Sequence, residues 1–142
     1  MEILIKYFVP EMPKIEKIEQ GDWIDLRNAY EEVLLKDCPT LISLGVAIKL
    51  PDGYEAIIVP RSSTFKNWGI IQTNGIGIVD ESYCGDTDEW KMAVYPMRNE
   101  IIEPFQRICQ FRIQLKQPEI SFTEVYALEA KSRGGFGSTG RI

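Results

Sequence analysis

An all-β sandwich or barrel-like fold is what this sequence predicts, and three observations predict it. Apolar and polar residues alternate with period two in several segments, strong turn signals separate those segments, and room remains for at most one short helix. A period of two places every second side chain on one face, so each segment reads as a strand with that face on a core.

The elements follow in chain order. Tyr30, Val33 and Leu34 have a spacing that would also suit a helix, and a strand is favoured there. Val46, Ile48 and Leu50 alternate with Ala47 and Lys49. The turn Leu50-Pro51-Asp52-Gly53 then combines a preset proline φ with a glycine that tolerates positive φ, which predicts a hairpin over 45–59. Ser62-Ser63 can cap a short helix running through Asn67. Residues 74–83 read as a second hairpin that delivers Asp80 and Tyr83. Trp90, Met92 and Val94 alternate with Lys91 and Ala93. In Arg107-Ile-Cys-Gln-Phe-Arg-Ile-Gln-Leu115, the residues Cys109, Phe111, Ile113 and Leu115 share one face, giving the clearest strand in the chain. One core domain over 1–131 is expected, followed by a flexible glycine-rich arm over 132–142.

Composition narrows the function. The 142 residues suffice for one domain that buries about two thirds of its unfolded surface. Apolar residues are 44% and charged residues 26%, which is ordinary for a globular protein, and the apolar runs are too short to span a bilayer, so no membrane role is expected. Met1-Glu2-Ile3-Leu4-Ile5-Lys6 lacks the pattern of a secretory signal, and Cys38, Cys84 and Cys109 are odd in number and widely spaced. Both point to the cytoplasm. A net charge of −5 argues against nucleic acid as a partner. The absence of histidine removes Ser-His-Asp and Cys-His mechanisms and the usual zinc hydrolases. Catalysis must rest on carboxylates, hydroxyls, cations or a bound metal.

Five segments can carry such chemistry. Asp22 and Asp25 lie in Gly21-Asp-Trp-Ile-Asp25-Leu26, where an acid can meet magnesium directly or through water. Pro60-Arg61-Ser62-Ser63 offers a guanidinium, two hydroxyls and backbone amides to one anion. Asn74-Gly-Ile-Gly77-Ile-Val-Asp80-Glu-Ser-Tyr83 can read a flat base through main-chain groups. Gln110 sits on the polar face of its strand. Arg133-Gly-Gly-Phe136-Gly137-Ser138-Thr139-Gly140 combines pliable backbone, hydroxyls, a cation and one ring, which suits wrapping phosphates while stacking on a base. Taken singly, each also reads as surface, cap or tail.

Together and in this order, these segments resemble the five motifs of the trimeric deoxyuridine triphosphatase family, covering Asp25 to Gly140. The matches are Asp25-Leu26, Pro60-Arg61-Ser62-Ser63, Asn74 through Tyr83 with Gly85, Arg107-Ile-Cys-Gln110, and Gly134 through Gly140. Three places depart from the family. Asp22-Trp23-Ile24 precedes Asp25 in place of a small residue, glycine and an aromatic; Phe105-Gln106 stands for Gly-Asp; and Arg133 adjoins Gly134, with Lys131 at an alternative spacing.

The resemblance implies a jelly-roll-like β-sandwich with one short helix that assembles as a homotrimer, each active site drawing on three subunits. It implies a dUTP diphosphatase that cuts dUTP at the α-phosphate to dUMP and pyrophosphate with Mg²⁺, removing dUTP and supplying dUMP for thymidylate synthesis. Asp80 is then the group that activates water, and a carboxylate with an ordinary pKa near about 4 is ionised at neutral pH. Arg61, Ser62, Ser63, Gln110, Gly137, Ser138 and Thr139 receive the phosphates, with Arg133 or Lys131 at the γ-phosphate. Asn74 and Gly77 belong to the base hairpin, Tyr83 lies beneath deoxyribose, Phe136 closes over uracil, and Asp25 holds the metal through water. Two rival readings accompany it. The related dCTP deaminases share the Arg-Ser-Ser segment but not Asp80-Glu81-Ser82-Tyr83. A regulatory protein partner on the same scaffold is the other.

Overall fold

The computed structural model describes residues 1–137 and 139–141. In chain order they form β1 (Leu4–Tyr7), β2 (Ile24–Arg27), β3 (Glu32–Leu34), β4 (Thr40–Ser43), β5 (Val46–Lys49), β6 (Tyr54–Pro60), α1 (Thr64–Trp68), β7 (Ile70–Gln72), β8 (Gly77–Val79), β9 (Lys91–Pro96), β10 (Glu100–Ile102) and β11 (Arg107–Leu115). The fold is thus all-β with one short helix, as the alternation predicts. Its largest sheet has the order β2-β11-β6-β8, and a second has β4-β9-β7; β1 with β5 and β3 with β10 make two-stranded pairs.

A jelly-roll-like sandwich results because both main sheets send their apolar faces into one core. Leu26, Ile58 and Phe111 come from the four-stranded sheet, and Ile42, Ile70, Met92 and Val94 from the three-stranded one. Trp90 meets Phe111 edge to face, with centroids 5.2 Å apart. Each such side chain contributes roughly 1.5–3 kcal/mol by leaving water. In β9 the alternation holds, with Met92 and Val94 buried and Lys91 exposed. In β11 it runs out before the end: Cys109 and Phe111 are buried, whereas Leu115 is 71% exposed. An irregularity in the β2–β11 register between Arg107 and Cys109 lets the adjacent Ile108 turn inward as well.

Three local expectations are corrected. The turn at 51–54 exists, with Tyr54 N–H bonded to Pro51 O at 3.2 Å, but β5 and β6 do not pair across it. β5 joins β1 while β6 joins β11 and β8, so 45–59 is a corner between sheets and not a hairpin. The segment 74–83 behaves likewise, since β7 pairs with β9 and β8 with β6. Finally, α1 starts at Thr64 and runs to Trp68, and the Ser63 side chain caps no amide. The Thr64 hydroxyl makes its bonds outside the helix. It accepts from Arg61 N–H at 2.8 Å and donates to Ile108 O at 2.9 Å, tying the segment before the helix to β11.

Beyond β11, residues 116–137 contain no helix or strand. Phe122 and Tyr126 are 95% and 110% exposed there, and Leu128 is also solvent-facing.

Candidate active site

Antiparallel pairing builds a first cluster at one end of the four-stranded sheet. The β2–β11 register sets Gln110 opposite Asp25, and the β11–β6 register sets Cys109 opposite Pro60, so Asp25, Arg61 and Gln110 come together. Asp25 Oδ1 lies 3.2 Å from Arg61 Nε, and Oδ2 lies 3.9 Å from Arg107 Nε. Arg61 Nη1 donates to Arg107 O at 3.0 Å, and Gln110 Nε2 donates to Pro60 O at 3.2 Å. Ser62 is exposed and Ser63 half-buried beside them. Two guanidiniums around one carboxylate leave a net positive charge and unspent N–H donors, which suits a polyphosphate. Arg107 opens the segment matched through Gln110, but its place beside Asp25 was not among the expected contacts. Its signal was present, an arginine opening the strand that carries Gln110.

Among the described residues no group of three His, Cys, Asp or Glu side chains could hold a metal ion. Asp25 is a lone carboxylate already facing two cations. That donor set fits a divalent ion held through water and by substrate oxygens, and it does not fit an all-protein cage.

A second cluster follows β8. A groove of about 440 Å³ is lined by Leu41, Ile78, Asp80, Ser82, Tyr83 and Lys91, among others. Asp80 is exposed just past the strand end. Its Oδ1 accepts from Ser82 N–H at 2.8 Å. The Ser82 hydroxyl and then its amide, aided by the more distant Lys116 charge, hold the Asp80 carboxyl below its ordinary value. Tyr83 N–H closes the turn onto Asp80 O at 3.0 Å, and its phenol donates to Glu89 O at 2.9 Å. Gly77 stands opposite Ile58, where an added Cβ would lie 3.2 Å from Gln72 Nε2 and 3.3 Å from Ile58 Cβ. Asn74 is exposed in the preceding turn.

One chain does not bring the two clusters together. Val79 pairs with Ala56 near the start of β6, whereas Arg61 follows its end. At about 3.3 Å per residue, Asp80 and Arg61 are separated by roughly 20 Å. Lys131, Arg133, Gly137 and Thr139 are exposed, Phe136 is fully so, and Ser138 lies outside the described residues.

The dUTPase family profile matches residues 16–140. The chain belongs to the dUTPase family. It is 53% identical, over 99% of both chains, to the SPbeta prophage-derived deoxyuridine 5'-triphosphate nucleotidohydrolase of Bacillus subtilis (strain 168). A mutant dUTPase of Staphylococcus bacteriophage 80alpha, solved with dUpNHpp, has the same fold, with a TM-score of 0.81 over 99% of each chain at 19% identity. A mutant dUTPase of phage phi11 of S. aureus, described as coordinating a structural Mg(II) ion, gives 0.75 over 89% of this chain and 99% of its own at 15% identity. This dUTPase sequence contains no histidine. No helix among the described residues is long and apolar enough to cross a membrane.

Proposed function

We propose that this chain is a dUTP diphosphatase that hydrolyses dUTP at the α-phosphate to dUMP and pyrophosphate, clearing dUTP and supplying dUMP for thymidylate synthesis. The observation that carries the reading is the Asp80 carboxylate, exposed at the groove beside Tyr83 and held ionised by Ser82. Asp80 takes a proton from water, whose oxygen bonds to the α-phosphorus while the bond to the bridging oxygen breaks and pyrophosphate leaves. Arg61, Ser62, Ser63 and Gln110 meet the phosphates from the cationic cluster. Gly137, Ser138, Thr139 and either Arg133 or Lys131 complete that shell from the arm. Asn74 and Gly77 present the uracil edge, Tyr83 packs against deoxyribose, and Phe136 closes over the base and excludes water. Bound Mg²⁺ would neutralise phosphate charge, with Asp25 meeting it through water.

The working unit is a homotrimer. The separation of Asp80 from Arg61 within one chain supports this, because apposed copies can join one chain's groove to another's cationic cluster. Exposed free thiols at Cys38 and Cys84 support a reducing cytoplasm.

Pyrophosphate release measured across dUTP, dTTP, dCTP and UTP should be confined to dUTP. Asp80→Asn should bind a non-hydrolysable analogue and turn over about 10²–10⁴-fold more slowly. Ammonia release from dCTP, or full turnover by Asp80→Asn, would overturn the proposal.

A further inference from the structure

Glu81 follows Asp80 directly, and its side chain reaches back to the corner between β5 and β6. There Glu81 Oε2 accepts from Gly53 N–H at 2.7 Å, while Oε1 pairs with Lys116 Nζ. Lys116 is itself fixed to the same corner, its N–H bonded to Gly53 O at 3.0 Å. Three distant segments therefore meet on one carboxylate. The side chains of Glu81 and Lys116 are 26% and 50% exposed, and an ion pair so open to water adds little stability. Its consequence is positional. The β8 ladder ends at Val79, so the Glu81 anchor is the next tether to the sheet after the Asp80 carboxylate.

We propose that Glu81 is a positioning residue for the hydrolytic reaction: by holding the Gly53 amide and the Lys116 ammonium together, it fixes the turn of residues 80–83 and so aims the Asp80 carboxylate. The proposal rests on Asp80 as the water-activating group. Asp80 lies between two anchored neighbours, Val79 on β6 and Glu81 on the corner, so loss of the second leaves the turn held by its own amides and by the Tyr83 phenol on Glu89 O, with nothing tying it to the corner. A displacement of about 1 Å at a reacting group can cost 10²-fold in rate.

Full-length enzyme with Mg²⁺ and dUTP tests this. Glu81→Ala should lower kcat roughly 10- to 100-fold with KM changed less than about threefold, because the phosphate-binding groups lie elsewhere. Glu81→Gln should recover most of kcat, since its amide oxygen still accepts from Gly53. Lys116→Met keeps that bond but removes the second anchor and a positive neighbour of Asp80. It should lower kcat more mildly and move the acid limb of the kcat profile to higher pH. The other charges beside Asp80 or across its groove, Glu81, Glu89 and Lys91, are unchanged in that variant. A merely structural contact would instead shift Tm with no split between kcat and KM and no movement of the limb.

Wild-type kcat and acid limb in both Glu81→Ala and Lys116→Met overturn the inference, and if Glu81→Ala does not fold, Lys116→Met decides alone. The Asp80→Asn protein run alongside keeps the two claims apart. Its loss of turnover beside unaffected Glu81 and Lys116 variants sinks only the positioning role, whereas its retention of turnover sinks the underlying reading.

Discussion

Asn28 is fully buried, and its amide serves three backbone groups. Oδ1 accepts from Gln106 N–H, and Nδ2 donates to the carbonyls of Tyr30 and Glu103, all at 2.8 Å. Those bonds hold the segment where Phe105 sits at φ 69, a conformation costing a non-glycine residue about 1 kcal/mol or more. Arg27 Nη1 adds a bond to Phe105 O at 2.7 Å. The departure from the family's Gly-Asp is thus accommodated, just before Arg107, by the side chains of Arg27 at the end of β2 and of Asn28 next after it. Nothing local in the sequence announces this role, because two of the three partners lie more than seventy positions away. Asp80 was legible as an ionised carboxylate, but the hydroxyl beside it was not. Ser82→Ala removes the leading interaction that favours the Asp80 anion, so the Asp80 pKa should rise. In the proposed mechanism turnover requires the anion, so the acid limb of the kcat profile should move to higher pH. An unmoved limb in a titration of kcat would show that Ser82 does not tune Asp80.

At the level of elements, β11 and β9 could be read directly, because alternation states which residues share a face. The corner at 51–54 could not. Proline and glycine specify that the chain reverses, whereas pairing depends on which distant strand offers a matching face. Gly45, between β4 and β5, carries a similar hidden constraint. It has φ 70, and an added Cβ would lie 3.0 Å from Ala29 Cβ and overlap the Met12 sulfur. Backbone strain and overpacking together should make Gly45→Ala about 3 kcal/mol less stable. Urea unfolding at fixed protein concentration measures this, and a midpoint equal to wild type would refute the constraint.

For the whole molecule, the kinds of side chain at the site were legible from five short segments, but their separation was not. Spacing along a chain carries no record of how copies meet, and the roughly 20 Å between Asp80 and Arg61 emerges only from the β6–β8 register. Burial argues similarly for the arm. Deleting residues 132–142 removes a stretch with little apolar content whose described residues are exposed, so Tm should fall by less than about 3 °C while most dUTP turnover is lost. Full activity after truncation would exclude the arm from catalysis. The central place of β11 has a further outcome during synthesis. Its partners β2 and β6 are made early, yet the strand that fits between them is complete only at Leu115. At about 5–20 residues per second, translation leaves those two edges bare for several seconds. The nascent polypeptide must stay soluble through that interval, and its largest sheet can zip shut only after Leu115 has been added.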